Sequence, residues 1–214
     1  VPPAPLRRRY SAATKRALLD VAAAQFAEHG YAGTSLDVVV AGAQVTKGAL
    51  YHHFAGKQAL FEDVFARVEE DAAARIRAAM TSAGDPWDQA RSALRAFLDV
   101  VREPAYRRVV LQDGPAVLGH ERFREQEERT SRALVHEVTE RVLVASAEVV
   151  DPAMVDTFSR ILYGAVSAAG EQVASAADPT AETLRVECAL GVVLDGLRQQ
   201  ATAGLRLTDP VAAP

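Results

Sequence analysis

Residues 45 to 60 read VTKGALYHHFAGKQAL. Thr46, Lys47, Tyr51, His52, His53 and Lys57 bring a hydroxyl, two ammonium groups, a phenol and two imidazoles into about three helical turns. Such a set suits a metal or acid–base site, a solvated turn, or a surface that grips a polyanion. Adjacent residues on a helix point about 100° apart, so His52 and His53 cannot close on one ion as an i, i+4 pair can. The segment holds no Cys, Asp or Glu, His120 and His136 stand alone, and neither H-E-x-x-H nor G-x-S-x-G occurs. We therefore expect no catalytic residues, no metal, no cofactor and no enzyme.

The polyanion reading accounts for more of the residues. A recognition helix enters the major groove through its first turns. There Thr46 can donate to a phosphate or a base, and Lys47 can reach guanine acceptors or the backbone. Gly48 and Ala49 are small and allow close approach. Tyr51 and His52, a turn further on, can donate to phosphates. Lys57, opening the next helix, sits where a phosphate also meets the helix N-terminus.

These side chains need short, capped helices to carry them. Alanine is abundant and apolar residues recur at three and four positions, so the chain reads as all-α, with about nine helices. Ser11 is the expected cap of a first helix that ends near His29, before Gly30, with Leu19, Ala22, Ala23 and Phe26 inward. Thr34 and Ser35 precede a second helix over about 36–43, and Thr46 precedes a third that ends near Phe54. With only AQV between them, the second and third form a helix-turn-helix. Six longer or shorter helices follow: from Gly56, from Asp85, over about 104–112, 121–149, 153–177 and 181–203.

Residues 26 to 64 resemble the DNA-binding domain of TetR-family transcriptional regulators. The residues that carry the resemblance are Phe26, Gly30, Tyr31, Thr34, Ser35, Val45, Thr46, Gly48, Leu50, Tyr51, His53, Phe54, Lys57 and Leu60. It implies that Thr46, Lys47, Ala49, Tyr51 and His52 face DNA, that Ser35 or Thr34 and Lys57 hold phosphates, and that His53 and Phe54 serve the inner face. Two positions depart from the pattern, Gln44 for Gly and Val40 for Ala. A left-handed residue other than Gly costs about 1 kcal/mol or more, so Gln44 either takes positive φ at that cost or the turn is built differently.

Charge supports the placement. Residues 1 to 60 carry seven basic and three acidic side chains, against 17 and 25 in the rest of a chain whose net charge is -4. Arg7, Arg8 and Arg9 lie in an expected mobile arm, residues 1–10, that either reaches DNA or stays solvated. The helix-turn-helix domain is expected over 11–56, a helical ligand-binding and dimerisation domain over 57–204, and a mobile tail over 205–214. The resemblance implies a small-molecule effector for the larger domain. Phe65, Val68, Phe97, Val101, Tyr106, Leu111, Phe123, Leu134, Phe158, Leu162 and Tyr163 are candidate pocket residues, pointing to an apolar or aromatic ligand, with core packing as the plain alternative.

The resemblance also implies a homodimer. Ile161, Ala165, Ala168, Ala169, Leu184, Cys188, Gly191 and Leu194 are its candidate contacts, Cys188 being read as small and buried. One cysteine, no secretory signal and no membrane span fit a cytoplasmic protein that binds double-stranded DNA. The expected function is a repressor released from a near-palindromic operator by its effector. A DNA-binding regulator without effector response, and an all-α ligand-binding or enzymatic protein that has lost DNA binding, remain as alternatives.

Overall fold

Three of the chain's four Asp-Pro dipeptides each open a helix. Asp85, Asp151 and Asp178 accept from backbone amides of the first turn, and Pro86, Pro152 and Pro179 follow where the missing amide costs nothing. The computed structural model describes residues 4–81, 84–204 and 206–211, with side chains from Tyr10 onward. Its elements are α1 Ala4–Gly33, α2 Leu36–Gly42, α3 Lys47–His53, α4 Lys57–Thr81, α5 Pro86–Val100, a π-helix Tyr106–Asp113, α6 Gly114–Leu118, α7 His120–Arg129, α8 Ser131–Ser146, β1 Val149–Val150, α9 Pro152–Ser175, α10 Pro179–Thr202 and β2 Arg206–Leu207. The all-α expectation holds. The expected seventh helix is divided, because Thr130 leaves helical geometry (φ −117°, ψ −87°). Among the described residues no helix is long and apolar enough to cross a membrane.

The chain divides into two units, Val1–Glu69 with Glu103–Arg124, and Glu70–Arg102 with Glu125–Pro214. The division therefore falls inside α4 and not at residue 57, and the π-helix and α6 join the first unit. In that unit Leu18, Ala22 and Phe26 of α1, Val39 of α2, Leu50 of α3 and Leu60, Phe61, Val64 and Phe65 of α4 are buried. Phe26 and Tyr31 both meet the Phe61 ring edge-on, with centroids 5.2 Å away. Among the described residues of the second unit, three apolar clusters form. Ala73, Ile76 and Met80 pack with Ala93 and Leu134; Trp87 and Ala90 with Val142; and Leu143 and Val155 with Leu207.

Helix α1 begins by Ala4, so Ser11 is not its cap and the backbone of the expected mobile arm is helical from that residue. The Arg7, Arg8 and Arg9 side chains lie outside the described residues. Gly30 interrupts α1 at φ 71°, ψ 174°, the break expected there. The tail also differs from expectation. β2 pairs in parallel with β1, and Leu207 is buried.

Gln44 takes the positive φ that the family's glycine would, at 55°. It ends α2 in a Schellman arrangement. The Val45 amide donates to the Val40 carbonyl (3.2 Å) and the Gln44 amide to Ala41 (3.2 Å). Relief of this strain outweighs the extra chain entropy of glycine, so Gln44→Gly is expected to stabilise by about 0.5–1 kcal/mol. Denaturant unfolding measures it; a variant no more stable than the parent removes strain from this turn.

Candidate nucleic-acid interface

The helix-turn-helix is assembled from two capped seven-residue helices. Ser35 caps α2 by accepting from the Val38 amide (3.3 Å), and Thr46 caps α3 by accepting from the Ala49 amide (3.1 Å). Capping uses only acceptor capacity, so both hydroxyl protons remain for an outside acceptor. Leu50 and Phe54 turn inward and are buried, as expected. Lys47, Gly48, Tyr51 and His52 are exposed, and Ala49 is half-buried. Tyr51 is 59% exposed, its hydroxyl free to meet solvent or a ligand. A Cβ on Gly48 would meet only Thr46 Oγ1, at 3.8 Å. The fold itself has room for a side chain there.

Of the expected phosphate contacts, Thr34 is out of place and Lys57 has partners within the chain. Thr34 is buried, its Oγ1 placed to donate to the carbonyls of Gly30 (2.9 Å) or Gln25 (3.1 Å), so it belongs to the α1–α2 corner and not to the surface. Lys57 lies over the Tyr31 ring, 4.4 Å from its centroid, with the Ala32 carbonyl at 3.5 Å. Its ammonium ties α4 to the end of α1.

Electrostatics single out one residue that sequence reasoning passed over. Lys47 Nζ lies 2.7 Å from Asp37 Oδ1, both side chains being largely exposed. The Asp37 carboxylate, by hydrogen bond and charge, holds the Lys47 ammonium above its ordinary pKa. Reading Asp37 only as a first-turn acid of α2 hides this, since the two residues are ten apart in sequence.

His53 behaves oppositely. Burial first, then the charges of His52 and Lys15, depress its pKa. The unfolded chain then binds the proton more readily, so stability is full above about pH 6.5 and declines as pH falls below it. Melts between pH 5 and 8 are expected to show that acid-side loss, and His53→Gln to flatten it.

A second contact set backs the interface. The break at Gly30 frees the Tyr31 amide, which donates to Asp113 Oδ2 at 2.7 Å, while Arg108 Nε donates to the same oxygen at 3.2 Å. The Arg108 guanidinium fills the space where residue 30 lacks a Cβ. The π-helix is thereby clamped to the corner that precedes Ser35.

The expected pocket residues are dispersed. Phe65, Val68, Tyr106, Leu111 and Phe123 belong to the first unit, where Phe65 and Phe123 meet edge-on at 5.8 Å. Leu134, with Phe97 against it, and Phe158 serve two different clusters of the second unit, and Val101 is fully buried. Leu162 is half-buried in α9. Tyr163 borders a groove of about 340 Å³ with Arg132, His136, Asp156 and Arg160, walls more charged than an apolar pocket has. Its hydroxyl donates to Glu127, and burial with that bond raises its pKa.

Of the expected dimer contacts, Ile161, Ala165, Ala168 and Leu184 are exposed, Gly191 and Leu194 are half-buried, and Ala169 is buried. Cys188 is exposed, not buried; a small side chain on the outer face of α10 meets nothing that covers it. Val192 and Val193 are also exposed on α10 and were not singled out by the sequence. Leu184, Cys188 and Gly191 border a second groove of about 400 Å³, where Arg95 Nε donates to Glu187 at 2.5 Å.

The fold and the paired short helices define a regulator of the helix-turn-helix class. The model for bacterial regulatory proteins of the tetR family matches residues 18–64, and that for the tetracyclin repressor-like C-terminal domain matches 87–197. The chain belongs to the TetR family. A crystal structure of a TetR-family regulator from Pectobacterium atrosepticum superposes with a TM-score of 0.75 at 31% identity, covering 89% of this chain and 96% of that one. The repressor KstR2 of Mycobacterium tuberculosis is 30% identical over 96 residues, 45% of this chain and 48% of its own. A probable acrEF/envCD operon repressor of Escherichia coli is 33% identical over 91 residues, 41% and 40% respectively. The chain thus spans about half the length, or less, of the curated relatives it matches.

Proposed function

We propose that this protein is a cytoplasmic transcriptional repressor that binds a near-palindromic operator as a homodimer and leaves it when a small molecule binds the second unit. The observation that carries the reading is the exposed face of α3 formed by Lys47, Gly48, Tyr51 and His52 with the capping Thr46 before it: donors and one cation around a residue whose missing side chain the fold does not require. Two copies related by a two-fold axis would set their α3 helices in successive major grooves about 34 Å apart. Exposed apolar residues on α9 and α10 support those helices as the dimer contact. Release requires only that the effector prefer a conformer in which the two α3 helices lose that spacing, a coupling of about 1–3 kcal/mol.

Selection of duplexes from a randomised pool tests this, with Lys47→Ala/Tyr51→Ala as control. A palindrome enriched by the parent and not by the control is the expected result. Enrichment of nothing at low salt overturns the regulator and leaves the ligand-binding alternative. Release of the selected duplex by a compound library then separates an effector-responsive repressor from a regulator without effector response.

A further inference from the structure

An acidic side chain stands on a face otherwise suited to a polyanion. Asp37 is in the first turn of α2, largely exposed, 2.7 Å from the first residue of α3. Ser35 already caps α2, so the helix does not require a carboxylate. An exposed ion pair adds little to stability. Facing phosphates, Asp37 would only repel and would weaken binding to every sequence alike. Facing base edges, it has a use.

A major groove offers the carboxylate one clean donor, the N4 amino group of cytosine, and offers the ammonium the O6 and N7 acceptors of guanine. Adenine also has an amino group, but its N7 acceptor lies beside it and repels a carboxylate. Lys47 and Asp37, held side by side, therefore present a donor and an acceptor that match a guanine and a cytosine together. We propose that Asp37 is a specificity residue of the DNA interface, accepting from a cytosine N4 next to the guanine read by Lys47. The pairing also keeps the Lys47 ammonium off the backbone, trading general affinity for discrimination. This rests on the DNA-binding reading above.

Parallel selections with the parent, Asp37→Asn and Asp37→Ala test it. Asparagine pairs with adenine N6 and N7 through its amide, so Asp37→Asn is expected to change one half-site position from cytosine to adenine. Asp37→Ala is expected to lose the preference at that position, worth roughly 5- to 150-fold against the wrong base, and keep the others. Its binding to unrelated duplex should rise and become more salt-sensitive, by about two units in the slope of log K against log salt for a dimer, as the two Lys47 ammoniums are freed for phosphates. Variants that enrich the parent's half-site with unchanged base frequencies overturn the proposal and leave Asp37 as a surface ion pair. A parent that enriches no site overturns the DNA-binding reading itself.

Discussion

Gly30→Ala is expected to destabilise the protein by about 3–5 kcal/mol, through two separable causes. The backbone at φ 71°, ψ 174° lies in a region that only glycine occupies readily. The added Cβ would also collide with the Arg108 guanidinium, displacing it from Asp113 and disturbing the bond from the Tyr31 amide. For a chain of this size the loss lowers Tm by roughly 6–20 °C. Arg108→Ala in the same chain removes the collision and leaves the backbone cost. The double variant should therefore recover part of the loss, and a double-mutant cycle reads the two causes apart. If Gly30→Ala melts with the parent, the clamp of the π-helix on α1 is not part of the folded state.

Lys47→Ala/Tyr51→Ala is expected to weaken operator binding by roughly 10²–10⁴-fold for each half-site while leaving Tm near the parent's. Each side chain is largely exposed, so little packing is lost. Hydrogen bonds to charged partners are worth about 1.5–3 kcal/mol each, and two are removed from every half-site. Lys47→Ala alone should suffer doubly, because it leaves Asp37 as an unneutralised carboxylate facing the DNA. Adding Asp37→Ala to it is expected to restore binding to unrelated duplex, while the preference for the half-site cytosine stays lost. Fluorescence anisotropy against the selected and an unrelated duplex measures all three; a double variant that binds as the parent does would remove α3 from the interface.

The sequence shows local rules well and partners distant in the chain poorly. Helix starts were legible because Asp-Pro, Ser35 and Thr46 act on amides two or three residues away. The break at Gly30 was legible for the same reason, while the turn at Gln44 was open between a left-handed residue and a different build until the structure placed it at positive φ. Thr34 was misplaced because its two acceptors lie behind it on α1, and a surface cap and a buried brace share one residue type. Lys57 shows the same difficulty: its role depends on where the Tyr31 ring lies. The Asp37–Lys47 pair and the Asp113–Tyr31 bond join residues ten and 82 apart, and no periodicity announces either. The pocket residues were chosen for apolar character alone, which does not separate a lining from a core.

The β1–β2 pair bears on where the chain can be shortened. The Asp151 amide donates to the Leu207 carbonyl at 2.8 Å, and Leu207 covers Leu143 and Val155. A truncation after Thr202, at the end of α10, would strip that cover and leave the amide of Asp151, the α9 cap, without its acceptor. An exopeptidase working inward from the C-terminus should slow at Leu207, and the Asp151 amide should exchange slowly with deuterium only while that residue remains.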